Sequence, residues 1–151
     1  MEMTGSRTIQ APREAVWAAL NDPAILKDAV PGCTEMTGSP EEGFEATVTQ
    51  KVGPVKATFR GAVTLSDVVP LQSYRIQGEG KGGVAGFAKG GADVRLSDAE
   101  GGGTLLEYAV DAKVGGKLAQ LGSRIVDGFA RKMADQFFAN FEERVESAPT
   151  T

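Results

Sequence analysis

The chain has 151 residues and a formal net charge of −4, which is the length of one domain. Its 41% hydrophobic and 24% charged residues are typical of a globular protein and exclude a disordered one. Histidine is absent and cysteine occurs once, which excludes a Ser–His–Asp triad, a His-assisted cysteine nucleophile, a His-ligated metal and an internal disulfide.

The N-terminal region predicts one strand followed by two short helices. Residues 2–10 alternate between apolar and polar side chains, which favours a strand. Ala11-Pro12 begins a short helix, because proline is tolerated in a first helical turn. Asn21-Asp22-Pro23 ends that helix and begins another, and Pro31-Gly32 ends the second.

Residues 34–113 have the pattern of strands. The alternating segments 44–52 and 55–65 flank Gly53-Pro54, which predicts a two-residue hairpin between half-buried strands. Further strands are predicted at about 72–80, 84–97 and 104–113.

The last element is predicted as one helix over residues 117–146, which contain no proline and many good helix formers. Its apolar stripe changes direction along the helix. We therefore expect the first half, from Leu118 to about Phe129, to cover a sheet face or cavity. The second half, with Phe137, Phe138 and Phe141, is expected to anchor the helix to the core. Residues 1–146 form the predicted domain, and 147–151 are expected to be a disordered tail.

This element order predicts an α+β fold, a curved antiparallel sheet wrapped around the long C-terminal helix. The inward strand positions carry many small residues, namely Ala46, Ala57, Gly61, Gly78, Gly80, Gly90, Ala92 and Ala112. Small residues there indicate either a ligand-sized cavity or the bulges and bends of a strongly curved sheet, and the two can coexist.

If the cavity exists, its wall is apolar and suits a hydrophobic ligand held by one or two hydrogen bonds. Its polar groups would be Gln50, Tyr74 and Tyr108, each of which could equally be a satisfied core residue. The predicted ligand-binding residues are Phe44, Val48, Gln50, Phe59, Val63, Tyr74, Ile76, Phe87, Val94, Tyr108, Val110, Leu118, Leu121, Gly122, Ile125 and Phe129.

The glycine-rich segment 78–94 predicts a hairpin with Phe87 near its tip, between Lys81 and Lys89. An exposed aromatic residue between lysines could act as a gate or contact a membrane or a partner, or the segment could be a plain surface hairpin. Cys33 follows a helix end with no histidine to activate it, so we interpret it as a structural, half-buried residue.

Neither a signal peptide nor a membrane-spanning run is found in the sequence, which predicts a cytoplasmic protein. The negative net charge and the lack of a basic cluster in the sequence argue against nucleic acid as a partner.

Several separated motifs resemble one family, that of the carbon monoxide dehydrogenase G subunit, within the START/polyketide-cyclase-like helix-grip superfamily. They are VWAALNDP at 16–23, VPGC at 30–33, GEGKGG with AGFAKG within 78–90, and GGKLAQLGSR at 115–124, followed by a later FF pair. The resemblance covers about residues 1–146.

This resemblance implies a helix-grip fold with a hydrophobic cavity, and association with molybdenum hydroxylases of the carbon monoxide or xanthine dehydrogenase type at the inner face of the membrane. Family members often end in a membrane-binding tail. This sequence ends at Thr151 without one, so the resemblance does not imply stable anchoring here; the protein could contact the membrane transiently, or the sequence could stop before the tail.

Three functions compete at this point. The first is a non-catalytic carrier of a quinone or lipid that serves such an oxidoreductase, with no other cofactor and no metal. The second is a ligand-free adaptor or maturation factor that recruits the oxidoreductase. The third is an enzyme of the aromatase/cyclase type, in which only Tyr74, Tyr108 or a buried carboxylate could act as acid or base.

Overall fold

The computed structural model describes residues 1–146, which form a seven-stranded antiparallel sheet and four helices. The strand order is β1-β7-β6-β5-β4-β3-β2. From β2 to β7, strands that are consecutive in the sequence are therefore also adjacent in the sheet. This arrangement, with the long helix at the C-terminal end, confirms the predicted helix-grip α+β fold. The predicted tail, residues 147–151, lies outside the described residues.

The first strand and the two short helices follow the predicted order. They are β1 (Glu2–Ile9), α1 (Arg13–Leu20) and α2 (Pro23–Ala29). The side chain of Asp22 accepts a hydrogen bond from the backbone N–H of Ala24 at 2.9 Å, which caps α2, and Pro23 takes the first position, where its missing N–H costs nothing.

The remaining strands are β2 (Cys33–Ser39), β3 (Gly43–Val52), β4 (Val55–Val69), β5 (Ser73–Lys81), β6 (Phe87–Asp98) and β7 (Thr104–Gly115). The hairpin at Gly53-Pro54 is confirmed, because Val52 pairs directly with Val55. A short 3-10 turn (Gly83–Ala85) joins β5 to β6.

The prediction of one unbroken helix over residues 117–146 is wrong. The structure has a one-turn helix α3 (Lys117–Gln120) and a long helix α4 (Ser123–Glu146), separated at Leu121 and Gly122. Gly122 has φ of +90°, a left-handed conformation that interrupts an α-helix and that glycine adopts without steric cost.

The core lies between the C-terminal half of α4, the two short helices and the adjoining ends of β1, β6 and β7. Its fully buried side chains include Ile9, Val16, Leu106 and Phe141. Asn140 donates a side-chain hydrogen bond to the carbonyl of Ala29 at 3.1 Å, which fixes this half of α4 to the end of α2.

Candidate functional site

An apolar cavity of about 470 Å³ lies between the sheet and the first half of α4. Its sheet side is formed by β1, β3, β4, β6 and β7, and its other side by α3 and α4. The lining residues are Met1, Met3, Val30, Pro31, Val48, Gln50, Val52, Phe59, Ala88, Val110, Ala112, Val114, Leu118, Val126, Phe129, Ala130, Met133, Ala134 and Phe137. The volume falls within the range of small-molecule binding sites.

Gln50 is the one residue with a polar side chain among those lining this cavity. Its Nε2 donates a hydrogen bond to the carbonyl of Pro31 at 2.7 Å, and the backbone N–H of Thr49 donates to the carbonyl of Gly32 at 3.0 Å. These two bonds hold the segment after α2 against β3. The amide nitrogen of Gln50 is thus engaged in the fold, while its Oε1 accepts no hydrogen bond from residues 1–146.

A second, smaller cavity of about 290 Å³ adjoins the first and shares with it Val30, Val110, Ala134 and Phe137. Tyr74 and Tyr108 supply its polar side chains. Within the described part of the chain neither tyrosine hydroxyl makes a hydrogen bond. Burial raises the pKa of Tyr74, so its hydroxyl stays protonated at neutral pH and can donate to a bound molecule.

The two cavities bring together most of the predicted ligand-binding residues. The larger one is lined by Val48, Gln50, Phe59, Val110, Leu118 and Phe129. The smaller one is lined by Phe44, Val63, Tyr74, Ile76, Val94 and Tyr108, and also by Val110.

Four predicted residues lie outside both cavities: Phe87, Leu121, Gly122 and Ile125. Phe87 is the first residue of β6, and since Val94 faces inward, the alternation of a strand turns Phe87 to the outer face, where its ring covers Gly115. Ile125 is 44% exposed, because the break at Gly122 turns the first residues of α4 toward the β3–β4 turn and solvent.

Several lining residues are not predicted from the sequence. Val30 and Pro31 follow α2 and lie outside any periodic pattern, so no signal marks them. Phe137 is predicted in the anchoring half of the helix, yet it lines both cavities. Its neighbour Phe138 also reaches the smaller cavity while being buried in the core, so the two functions of the helix overlap at this FF pair.

The division of the long helix into two halves is otherwise visible in burial. The buried side chains of α4 are Phe138, Phe141 and Val145, all in its C-terminal half. Arg7 of β1 also binds this half, with its guanidinium 3.4 Å from the carboxylate of Glu142. The first half instead contributes the half-buried wall of the larger cavity.

Both explanations given for the small residues on the inner face, sheet curvature and a cavity, apply to some of them. A Cβ placed on Gly90 would collide with the backbone carbonyl of Asp111, so this glycine permits the close approach of β6 and β7 in the curved sheet. Ala88 and Ala112, on the same two strands, line the larger cavity. Curvature therefore explains the glycine, and empty volume explains the alanines.

Two other groups can be assigned. Cys33 is half-buried and its thiol donates a hydrogen bond to the carbonyl of Glu35 at 3.1 Å, and burial raises the pKa of the thiol, which disfavours a reactive thiolate. Within residues 1–146 no group of three or more His, Cys, Asp and Glu side chains is placed to hold a metal ion. No helix in the same part of the chain is long and apolar enough to span a bilayer.

Solved structures with the same fold come from several bacteria. A conserved protein from Geobacillus kaustophilus is 27% identical with a TM-score of 0.89, over 97% of this chain and 95% of that one. A protein from Thermus thermophilus is 18% identical with a TM-score of 0.75, over 99% of this chain and 100% of that one. The Zhui aromatase/cyclase from a Streptomyces species is 12% identical with a TM-score of 0.72, over 97% of this chain and 93% of that one.

Among proteins with curated descriptions, none matches this sequence. The model of one family, the carbon monoxide dehydrogenase G subunit (CoxG), matches residues 5–146. That match covers the lining of both cavities apart from Met1 and Met3, the break before α4 and the anchoring half of the helix, as the sequence resemblance implied. The chain therefore belongs to the CoxG family of carbon monoxide dehydrogenase G subunits.

Proposed function

We propose that the protein is a non-catalytic carrier that holds an apolar small molecule, a quinone or a lipid, beneath the first half of α4. The observation that carries this proposal is the cavity of about 470 Å³ whose wall has Gln50 as its one polar side chain. An unfilled apolar cavity of this size costs stability, because its lining loses van der Waals contacts, and an apolar ligand would restore them.

The polar groups suit a molecule with an apolar body and a carbonyl or hydroxyl at one end. Tyr74 can donate a hydrogen bond in the smaller cavity, and the Oε1 atom of Gln50 makes no hydrogen bond within residues 1–146. A quinone head group, or the oxygen-bearing end of a lipid, would be oriented by such contacts.

Family membership supports a partner of the carbon monoxide dehydrogenase type, a molybdenum hydroxylase that the carrier would serve at the membrane. An enzymatic function receives less support from the site. The residues lining the two cavities include no carboxylate, lysine or cysteine, so the acid–base groups are the two tyrosines alone.

The test is organic-solvent extraction of the purified protein followed by mass spectrometry, with titration of quinone and lipid analogues into the extracted protein. We expect one class of apolar molecule to co-purify in near-stoichiometric amount. A clean extract, combined with no binding of any analogue, would contradict the carrier function.

A ligand-free adaptor that recruits the oxidoreductase is the alternative, and it predicts that no quinone or lipid analogue binds. Pull-down from native cells would recover the oxidoreductase, and the extract would contain no apolar molecule.

A further inference from the structure

Three separate segments meet at one end of the sheet, where β3 turns into β4, β5 turns into β6 and β7 leads into α3. They are residues 51–60, 79–89 and 113–127, which we name the basic end. Strand pairing joins them, since Arg60 pairs with Lys81, Lys81 with Phe87 and Phe87 with Gly115. A Cβ placed on Gly53 would lie 3.7 Å from the side chain of Ile125, so the β3–β4 turn also lies against α4.

The basic end carries a charge opposite to that of the whole chain. It contains eight Lys and Arg residues but only two acidic ones, Glu79 and Asp127, whereas the remainder has eight basic and eighteen acidic residues. The eight cations are Lys51, Lys56, Arg60, Lys81, Lys89, Lys113, Lys117 and Arg124. All eight are exposed, and among residues 1–146 the ion pairs involve other arginines.

The sequence contains no basic run, which leaves open a local basic patch formed only in the folded chain. The cations are dispersed over three segments, none of which is a basic run, and the fold brings them to one end of the molecule. A concentration of like charges is unfavourable for an isolated domain, and anionic groups of a binding surface would offset the repulsion.

Large apolar side chains are exposed among these cations. Val84, in the turn between β5 and β6, is 85% exposed, Ile125 is 44% exposed and Phe87 is 38% exposed. Nucleic acid or an acidic protein surface would neutralise the lysines but would leave Val84 with little to bind. The interface of a bilayer accepts both, with anionic head groups for the lysines and the acyl boundary for the valine.

The larger cavity reaches the same end of the molecule. Val52, the last residue of β3, lines it, as do Leu118 in α3 and Val126 in the first turn of α4. An apolar molecule that moves between a bilayer and this cavity would therefore travel a short distance, and contact of the basic end with the bilayer would spare it exposure to bulk water.

We propose that the basic end docks on a membrane leaflet that contains anionic phospholipids, with Val84 inserted at the interface and the cavity facing the bilayer. Only the purpose of this docking rests on the proposed carrier function. The contact itself is made by surface residues and can be measured whether or not a ligand is bound.

The experiment is co-sedimentation of the full chain with two kinds of vesicle, pure phosphatidylcholine and equal parts phosphatidylcholine and phosphatidylglycerol. We expect binding to the second kind and little to the first. Each basic residue at an anionic surface contributes about 1 kcal/mol, so the double variant Lys56→Gln, Lys117→Gln should bind about 30-fold more weakly. A matched control is Lys27→Gln, Arg95→Gln, which removes the same charge from exposed residues outside the basic end and should bind like the wild type.

A second pair of variants tests the apolar contact. Val84→Ser should weaken vesicle binding about fivefold, because a valine at the interface buries part of its side chain. Val68→Ser removes a valine that is 48% exposed in β4, outside the basic end, and should have no effect. Circular dichroism would verify that each variant is folded.

Absence of binding to either kind of vesicle would overturn the docking, and so would equal weakening by the two double variants. Full binding by Val84→Ser would overturn the insertion into lipid and would favour a soluble acidic partner. Extraction of the same preparation separates the two proposals. Co-purified quinone or lipid without vesicle binding defeats only the docking, whereas vesicle binding with a clean extract defeats only the carrier function.

Discussion

The ring of Tyr108 stacks on that of Phe138, with the ring centroids 4.8 Å apart and the ring planes inclined by 21°. The same ring extends over Gly5 of β1, where a Cβ would collide with the tyrosine hydroxyl. Tyr108 therefore connects β7 with α4 and passes over β1 at the one place in that strand without a side chain. This contact lies at the wall of the smaller cavity, so it links the site to the anchoring half of the helix.

Gly5→Ala tests this relationship. The added methyl group has no room beside Tyr108, so we expect the free energy of unfolding to decrease by about 1–3 kcal/mol, as in other overpacked sites. Urea denaturation followed by circular dichroism would measure the change. In a double-mutant cycle with Tyr108→Ala the two effects should be strongly non-additive, and simple additivity would show that the two residues do not interact.

Two glycines near the start of α4 should respond in opposite ways to the same substitution. Gly122 has φ of +90°, so Gly122→Ala should destabilise the protein by about 1 kcal/mol through left-handed strain. Gly128 lies inside α4, and a Cβ there would have no neighbour within 4 Å, so Gly128→Ala should stabilise it by about 0.5–1 kcal/mol. Thermal or urea denaturation would compare them, and a change of equal sign in both variants would contradict the break in the helix.

Filling the cavity should abolish ligand binding at little cost in stability. Ala130 lines the larger cavity, so Ala130→Phe should occupy empty volume and change the free energy of unfolding by less than about 1 kcal/mol. Ala139→Phe, at an exposed position on the same helix, controls for the lower helix propensity of phenylalanine. Ligand titration and denaturation would be measured together, and a large loss of stability specific to Ala130→Phe would indicate that no cavity exists there.

Stability should fall at high pH because of Tyr74. Burial raises the pKa of this tyrosine above the usual value of 10.0, so at alkaline pH the unfolded chain loses the phenolic proton while the folded chain retains it. The folded state then binds more protons, and the free energy of unfolding decreases as the pH rises above about 10. In Tyr74→Phe this decrease should be smaller.

The fluorescence of Trp17 provides the measurement for this pH dependence. It is the one tryptophan of the chain, and its ring makes an edge contact with that of Tyr74 at a centroid distance of 5.5 Å. Urea titrations at several pH values would be compared between the wild type and Tyr74→Phe. Identical curves for the two proteins would contradict the assignment of the effect to Tyr74.

The strands are predictable wherever one face is apolar. Residues 44–52 and 55–65 alternate regularly, and their register across Gly53-Pro54 follows from that alternation and from the turn. The sequence pattern does not delimit strand β2, because Met36 is its one large apolar side chain. The strand lies at the edge of the sheet and pairs with β3 alone, so it needs no regular apolar face.

Some predicted site residues do not line either cavity, for two physical reasons. Phe87 is predicted near the tip of a hairpin as a possible gate, whereas it begins β6 and the alternation of that strand turns it to the outer face. The helix stripe aligns Leu121 with Ile125 only if residues 117–146 are continuous, and the left-handed glycine at position 122 separates Leu121 from α4. Val30 and Pro31 line the cavity because of tertiary packing. The spacing of apolar residues along a strand or helix cannot predict such positions.

Because the two halves of α4 are anchored unequally, local opening of its first half should be distinct from unfolding of the whole protein. Its C-terminal half is fixed by buried phenylalanines and by the bond from Asn140 to Ala29, whereas its first half has no fully buried side chain. Backbone amides of residues 126–133 should therefore exchange with deuterium through a sub-global opening of lower free energy than those of residues 138–145. A bound molecule could then leave while the rest of the chain stays folded, so its rate of release would be set by the helix start rather than by the stability of the whole protein.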